Sequence, residues 1–201
     1  YAFHRQPNVA YWNLFCLGQA LLPLMDDQQQ ALDALEPYKA LFPAALQRRM
    51  NAKLGLAQVQ AGDAELTESL MKLLAADAVD FTIFWRRLSR AVGGALEPVR
   101  DLFLQREAFD AWALGWRERV GTQPGFDAVA TQAQMLRTNP NVVLRNHLGE
   151  VAIQRARQGD FSEVARLQSA LEHPFEEVAG QEDLAAFPPA WASQIEISCS
   201  S

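Results

Sequence analysis

Cysteine and histidine are the side chains of this sequence best suited to chemistry, and they are few. The chain has Cys16 and Cys199, together with His4, His147 and His173. The histidines fall in an expected loop, helix and tail, so their spacing predicts no shared site, and His147 is predicted to be structural or solvated. No GxxxxGK[ST] or GxGxxG phosphate loop, HExxH or CxxC metal pattern, or GxSxG nucleophile elbow occurs. The sequence therefore predicts no catalytic, cofactor-binding or metal-binding residue in this chain.

Cys199 is the candidate for a redox-active group. It lies among the serines of the last segment, Ser198–Ser201, without an apolar shield. Because the nearby terminal carboxylate disfavours a thiolate, we do not expect an activated nucleophile. An accessible thiol can still exchange with a disulfide, so Cys199 is predicted to be a labile disulfide partner. The alternative is an exposed tail cysteine without a role. Cys16 lies among large apolar residues and is predicted to be an inert core cysteine.

Two groups of polar residues each allow two interpretations. Asn146 and Glu150 are four residues apart and share one helix face, where they either satisfy an adjoining loop or face solvent. Arg48, Arg49 and Lys53 form a basic face, predicted to be solvated. The alternative for this basic face is docking to an acidic surface elsewhere in a longer chain.

The stretch 139–171 is predicted to be a helical hairpin that organises the fold. Asn139 can cap its first helix and Pro140 suits the first turn. Gly159 supplies the left-handed residue that ends a helix, and Asp160 or Ser162 can cap the second helix. The two apolar stripes are predicted to be Leu144, Leu148, Val151 and Ala152, and Phe161, Val164, Leu167 and Leu171.

The remaining pattern predicts an all-α fold of eight to ten helices joined by short connections. Other helix starts are predicted at Asn8, Asp26–Asp27, Phe42-Pro43 and Asp80. Phe109, Trp112 and Trp116 are spaced to stack along one face of a core helix. After residue 171 prolines and glycines predict an irregular tail, in which residues 194–198 could form a short strand without a clear partner.

The composition is that of an ordinary soluble protein. Of the 201 residues, 49% are hydrophobic and 21% charged. A net charge of −6 disfavours nucleic acid as a partner, and no apolar run approaches the ~20 residues that span a bilayer. Two cysteines are too few for a disulfide framework, so a reducing, cytoplasmic compartment is expected. The start at Tyr1 leads us to expect the C-terminal part of a longer chain.

Four segments together resemble the selenoprotein O family, also called YdiU. They are YAFHRQPNVAYWNLFCLGQALLPL at the start, DFTIFWRRL in the middle, NPNVVLRNHLGEVAIQRARQGDFSEVARL before the tail, and WASQIEISCSS at the end. The region of Trp112 and Trp116 also matches in order. The resemblance covers essentially the whole chain, and the combination is more specific than any one segment.

This resemblance implies a kinase-like protein adenylyltransferase, a pseudokinase fold that transfers AMP from ATP to protein hydroxyls. It implies that residues 1–8 end an activation-segment-like loop, that 9–171 form a helical C-terminal lobe, and that 172–201 form an irregular tail. The residues for ATP and for Mg or Mn would then lie upstream of Tyr1, in an N-terminal lobe. Cys199 would match the family's tail selenocysteine or, in bacterial members, its tail cysteine, which can pair with a cysteine of the activation segment.

Two functional hypotheses follow. The first is the C-terminal lobe of a protein adenylyltransferase, inactive alone, with protein substrates and a redox-regulatory Cys199. The second is a stand-alone helical interaction module without catalysis. A parent that keeps the fold but has lost catalysis is a further possibility.

Overall fold

A computed structural model describes residues 5–25 and 27–195 and divides the chain into two compact units, Tyr1–Met50 and Asn51–Ser201. Over the described residues the fold is all-helical, with ten α-helices and three short 3-10 helices and no strand. The first unit contains α1 (Gln6–Leu21), the 3-10 turn Leu22–Leu24, α2 (Gln28–Leu35) and most of α3 (Pro37–Lys53). The second contains α4 (Asp63–Ala76), α5 (Phe81–Arg90), α6 (Glu97–Arg100), α7 (Arg106–Gly121), α8 (Ala128–Thr138), α9 (Asn146–Ala156), α10 (Ser162–Glu172), and the 3-10 helices Glu182–Ala185 and Ala190–Gln194.

Aspartate caps fix where several helices begin. Asp27 accepts a hydrogen bond from the backbone N–H of Gln29 and Asp80 accepts one from Ile83, which confirms both predicted starts. Each carboxylate satisfies an amide that has no partner within the first helical turn. Asp127 caps α8 in the same way.

The core of the second unit is an aromatic cluster on α5 and α7. Trp112 and Trp116 stack with ring planes 6° apart and centroids 6.0 Å apart, and Phe109 is fully buried beside them. The two indole N–H groups donate to the carbonyl oxygens of Leu66 and Leu54, so their burial leaves no polar group unpaired. The predicted aromatic face of α7 is therefore confirmed as core.

A buried ion pair joins α4 to α7. Asp63 is 1% exposed and accepts hydrogen bonds from Arg119, from the side chain of Asn51 and from the backbone N–H of Gln60. Burial tends to raise the pKa of Asp63, but these donors, led by Arg119, outweigh burial and hold the pKa below its ordinary value.

The helical hairpin of α9 and α10 forms a second, smaller core. Its buried apolar residues are Val142, Leu148, Ala152, Leu167, Ala170 and Leu184. Gly159 lies between the helices with φ +85°, as predicted, and Glu163 lies in the first turn of α10. Neither predicted side chain caps the first turn of α10 from the N-cap position, which Phe161 occupies, although Asp160 accepts a hydrogen bond from the backbone N–H of Ser162.

The predicted start of the hairpin is wrong. Asn139 ends α8 rather than capping α9, and residues 140–145 are not helical. The Asn139 side chain is fully buried in a polar network, and the amides of Asn141 and Val142 both donate to the carbonyl oxygen of Pro174. Leu144 consequently lies before the helix and is 60% exposed instead of buried.

Other corrections concern the first fifty residues and the tail. α1 begins before Asn8 with Pro7 in its first turn, and α3 begins at Pro37, so Pro43 lies inside it. Cys16 is a half-buried free thiol rather than a core residue. Of the stretch predicted as a possible strand, Gln194 ends a 3-10 helix and residues 196–198 lie outside the described part of the chain.

Candidate functional site

Three arginines on α5 form the most developed polar site among the described residues. Phe84, Trp85 and Leu88 of this helix face the core and are almost fully buried. Arg86, Arg87 and Arg90 lie on the other side of the helix, and the three- and four-residue spacings bring Arg86 and Arg87 next to Arg90. The amphipathic pattern of α5 therefore aims three guanidinium groups in neighbouring directions.

Arg86 is the buried member of this set. Its side chain is 8% exposed, and Nη1 donates to the carbonyl oxygens of Leu136 and Asn139 at 2.8 and 3.1 Å. Nη2 donates to the carbonyl oxygen of Phe175 at 3.0 Å and to Glu177 Oε1 at 2.7 Å. Its Nε is buried without a hydrogen-bond partner. Because a buried charge is costly unless paired, these contacts make Arg86 a structural tie between α5 and the tail segment.

Glu177 is shared between two arginines. Arg90 Nη2 also donates to Glu177 Oε1, at 2.6 Å. The hydrogen bond from Arg90, followed by that from Arg86, holds the pKa of Glu177 below its ordinary value despite partial burial. One carboxylate thus serves two guanidinium groups, which leaves positive charge in excess at this point.

A cavity of about 580 Å³ opens beside these side chains. We call it the arginine pocket; it is lined by Thr82, Ile83, Arg86, Arg87, Arg90, Asn141, Glu177, Val178, Ala179, Gln181, Glu182, Ala185, Ala186 and Phe187. Arg87 stacks over the Phe187 ring at 5.6 Å and donates to the carbonyl oxygen of Pro98. It has no carboxylate partner within the described part of the chain. The pocket can therefore accept an anionic group against an apolar wall.

A buried polar network holds the loop beside the pocket. Asn139 Nδ2 donates to the carbonyl oxygen of Lys53 and to Ser89 Oγ, and Lys53 Nζ donates to Asn139 Oδ1 at 3.1 Å. The Lys53 ammonium lies 5.4 Å from the centre of the Trp85 ring, and burial lowers the pKa of Lys53. The prediction that Lys53 belongs to a solvated basic face is therefore wrong.

A second ion pair fixes the start of α9 to the start of α5. Arg145 donates from Nη1 and Nη2 to the two carboxylate oxygens of Asp80, at 2.6 and 2.9 Å, and both side chains are mostly buried. Burial tends to raise the pKa of Asp80, but the hydrogen bond from Arg145 and the capped amide of Ile83 outweigh it, so the pKa lies below its ordinary value. Glu150 accepts a hydrogen bond from Gln154 of the same helix rather than from an adjoining loop.

The described histidines do not form a site. His147 is buried against the edge of Trp191, with ring centroids 6.1 Å apart. Burial, aided by the Arg145 charge, lowers the pKa of His147, which favours its neutral form. His173 is exposed beside Glu176. His4 and the redox candidate Cys199 lie outside the described residues.

The described residues hold no group of three or more His, Cys, Asp or Glu that could bind a metal ion. The side chains that line the arginine pocket include Thr82, Glu177 and Glu182 but no cysteine, serine or histidine. The sequence pattern did not indicate the arginine pocket, because Arg86 occupies a position typical of a surface residue in an amphipathic helix. The usable signal was an arginine directly beside the aromatic core positions of α5.

Comparison with known proteins agrees with the resemblance seen in the sequence. A family model described as "Protein adenylyltransferase SelO" matches residues 1–172. The chain is 59% identical over 202 residues to a protein named "Protein nucleotidyltransferase YdiU" from Variovorax paradoxus, and the match covers all of this chain and 40% of that relative. Proteins of the same name from Albidiferax ferrireducens and Burkholderia orbicola are 54% and 48% identical, with 41% and 42% of their lengths covered. The chain thus spans about two fifths of the length of these relatives, and it belongs to the SelO family of protein adenylyltransferases.

Proposed function

We propose that this chain is the helical C-terminal portion of a kinase-like protein adenylyltransferase. The observation that carries the proposal is the family match over residues 1–172 together with the relatives' greater length. The helical architecture of the described residues is compatible with the large lobe of a kinase-like fold. In this proposal the activation-segment-like loop, predicted over residues 1–8, runs into the first turn of α1, residues 9–171 form the lobe and 172–201 form the tail.

ATP and a divalent metal would be handled by other parts of the full-length polypeptide. The described residues do not suit a metal ion, because they contain no cluster of carboxylates, histidines or cysteines. We therefore derive no catalytic step within this chain. Its proposed role is to give the nucleotide-binding part a rigid base and to supply a surface for protein substrates, since phosphoryl and nucleotidyl transfer depend on positioning and charge stabilisation.

Transfer of the α-phosphate tests this function. The full-length polypeptide, incubated with a divalent metal and ATP labelled at the α-phosphate, is expected to label hydroxyl side chains of proteins. The chain 1–201 alone is expected to label none. A full-length polypeptide that binds ATP but transfers no label would favour a parent that has lost catalysis. Label transfer by the isolated chain would contradict the proposed division of labour.

The arginine pocket is proposed to receive an acidic segment of a protein substrate. Arg86 and Arg90 already donate hydrogen bonds to the carboxylate of Glu177, and Arg87 has no carboxylate partner among the described residues. The apolar residues beside the arginines provide a wall for the backbone and small side chains of a peptide. Binding of this kind would weaken as salt concentration rises.

A synthetic glutamate-rich peptide, with surface plasmon resonance as readout, tests this docking role. The double substitution Arg87→Gln and Arg90→Gln in the full-length polypeptide is expected to abolish salt-sensitive binding, while Arg86 is left intact because it holds the tail. Arg137→Gln, at an exposed arginine of α8, is the matched control and should bind as the unmodified protein does. Equal binding by all three proteins would reject the arginine pocket as a docking site.

Cys199 is proposed as a redox-regulatory residue, on the resemblance of the tail sequence alone. A two-electron oxidant such as a peroxide would join the Cys199 thiol to a cysteine thiol of the activation segment, with loss of two protons, and so restrain activity; a thiol reductant would reverse the reaction. Peptide mass mapping of the full-length polypeptide under non-reducing and reducing conditions is the test. Absence of any Cys199 disulfide after oxidation would end this proposal. The proposed transferase function would not be affected by that result.

A further inference from the structure

The composition of α1 differs from that of every amphipathic helix in the chain. From Gln6 to Met25, through α1 and the following 3-10 turn, no side chain is charged. Large apolar residues lie on all sides of α1, including Tyr11, Trp12 and Leu14. A helix that is apolar all round is normally enclosed by protein or by lipid. No helix in the described part of the chain is long and apolar enough to cross a membrane.

The structure nevertheless leaves α1 without a single buried residue. Helix α2 packs on the side that carries Gly18, where an added Cβ would lie within 4 Å of the side chains of Ala31 and Leu35. A different side carries four leucines at spacings of three, four and three residues. We call this set the leucine face; it consists of Leu14, Leu17, Leu21 and Leu24, which are 37%, 54%, 36% and 83% exposed. Trp12 is 61% exposed on yet another side.

The extent of this exposure favours one occupant over another. A second copy of the chain would meet α1 through one self-complementary patch and would leave the other sides in water. An uncharged helix exposed on several sides needs a partner that surrounds it, and such contacts resemble the interior of a domain. The relatives supply the required chain, because more than half of the Variovorax protein lies outside its match to these residues.

We propose that the leucine face docks against the part of the full-length family polypeptide that this chain does not span, so that α1 is an internal helix of the complete fold. The proposal rests on the premise, made under the proposed function, that the chain belongs to a longer polypeptide. It does not depend on AMP transfer. The partner surface is predicted to be apolar and uncharged, because α1 offers no ion-pair partner.

Hydroxyl-radical footprinting read by mass spectrometry tests this docking without a mutation. Oxidation of Trp12, Leu17 and Leu24 is expected to be several-fold lower in the full-length polypeptide than in the chain 1–201. Leu114 is the matched control, since it is 71% exposed on α7, a helix whose other side is buried and which carries several charges. Its oxidation should be similar in both proteins. Equal oxidation of the leucine face in both proteins would overturn the proposal.

Two further outcomes separate the alternatives. Protection of the leucine face already present in chain 1–201, and lost on dilution together with a dimer in light scattering, would assign the face to a second copy and overturn the proposal. Protection in a full-length polypeptide that transfers no AMP would leave the docking proposal standing while the proposed function fails. Substituting Leu17→Lys in the full-length polypeptide is expected to lower its soluble yield, whereas Leu114→Lys should not.

Discussion

Asp63, Asp80 and Arg86 carry charges that are buried or mostly buried, and each charge has its own set of hydrogen-bond partners. Asp63 and Asp80 each combine an arginine partner with a backbone amide, and Arg86 places its two terminal nitrogens on three carbonyl oxygens and one carboxylate. Removing one partner from such a pair leaves the other charge buried and unpaired, which costs more than the intact pair contributes. The consequences of substitution can therefore be ranked by burial.

Asp80→Asn is expected to lower the free energy of unfolding by about 3 kcal/mol, because Arg145 is left mostly buried without its carboxylate. Asn keeps the helix cap, so the loss isolates the ion pair. Asp127→Asn, at an exposed cap without an ion pair, is the control and should change stability little. Urea denaturation gives both values. Equal losses of unfolding free energy in the two variants would show that the ion pair of Asp80 does not contribute as predicted.

The ion pair of Asp80 and Arg145 predicts that the stability of the protein depends on pH. Because the folded-state pKa of Asp80 lies below its ordinary value of 3.8, its contribution is present above that value and is lost as pH falls through the lower, folded-state pKa. Urea denaturation from pH 6 down to about pH 3 should show that the protein loses stability and that Asp80→Asn loses less. Parallel curves for the two proteins would count against the pair.

Gly55→Ala is expected to destabilise the protein by about 1–3 kcal/mol. Gly55 has φ +76°, and a Cβ there would lie 2.7 Å from Met135 Sδ and 2.8 Å from Thr131 Cγ2. Thr131 is β-branched, so its side chain has few alternative rotamers on a helix. Gly149→Ala in α9 meets no atom within 4 Å and should instead stabilise by about 0.5–1 kcal/mol. Thermal unfolding of both variants, with opposite shifts, checks the prediction.

At the scale of elements, the helix ends that depend on local signals were predictable from the sequence, whereas those that depend on tertiary contacts were not. Asp27, Asp80 and Gly159 were predictable because a cap or a left-handed residue acts within one turn of the chain. The start of α9 was not predictable, because Asn139 looks like a helix cap by itself and is recruited by Lys53 and Ser89, which are distant in sequence. The arginine pocket was missed for the same reason.

Leu148→Ala tests the corrected hairpin. Leu148 is 9% exposed in the small core between α9 and α10, so its truncation should cost about 2–5 kcal/mol of unfolding free energy. Leu144→Ala is the control, because Leu144 precedes the helix and is 60% exposed, and should cost less than about 0.5 kcal/mol. If both substitutions cost the same in urea denaturation, the helix begins where the sequence pattern first suggested.

At the scale of the whole molecule, the all-helical class and the family were accessible from sequence, since they rest on periodicity and on long matching segments. The exposure of α1 was not, because its uncharged sequence is that of an enclosed helix, whereas the coordinates show no buried residue on it. The half-buried state of Cys16 follows from the same feature.

The isolated chain is expected not to bind Mg·ATP with useful affinity. A kinase-type nucleotide site needs both lobes around the nucleotide, and we propose that one of them lies outside this chain. Isothermal titration of chain 1–201 with Mg·ATP should give no measurable heat of binding, and the full-length polypeptide is the positive control. Micromolar binding to the chain alone would contradict the prediction.

The distribution of the five tryptophans gives the protein its own optical reporters. Trp85, Trp112 and Trp116 are sealed in the core of the second unit, whereas Trp12 stands in water on α1 and Trp191 is 43% exposed. A neutral quencher such as acrylamide must therefore extinguish the red-shifted emission of the surface indoles first and leave the blue-shifted emission of the aromatic core. Loss of the Trp12 component on joining the chain to the rest of its polypeptide would register the enclosure of α1 in a simple fluorescence spectrum.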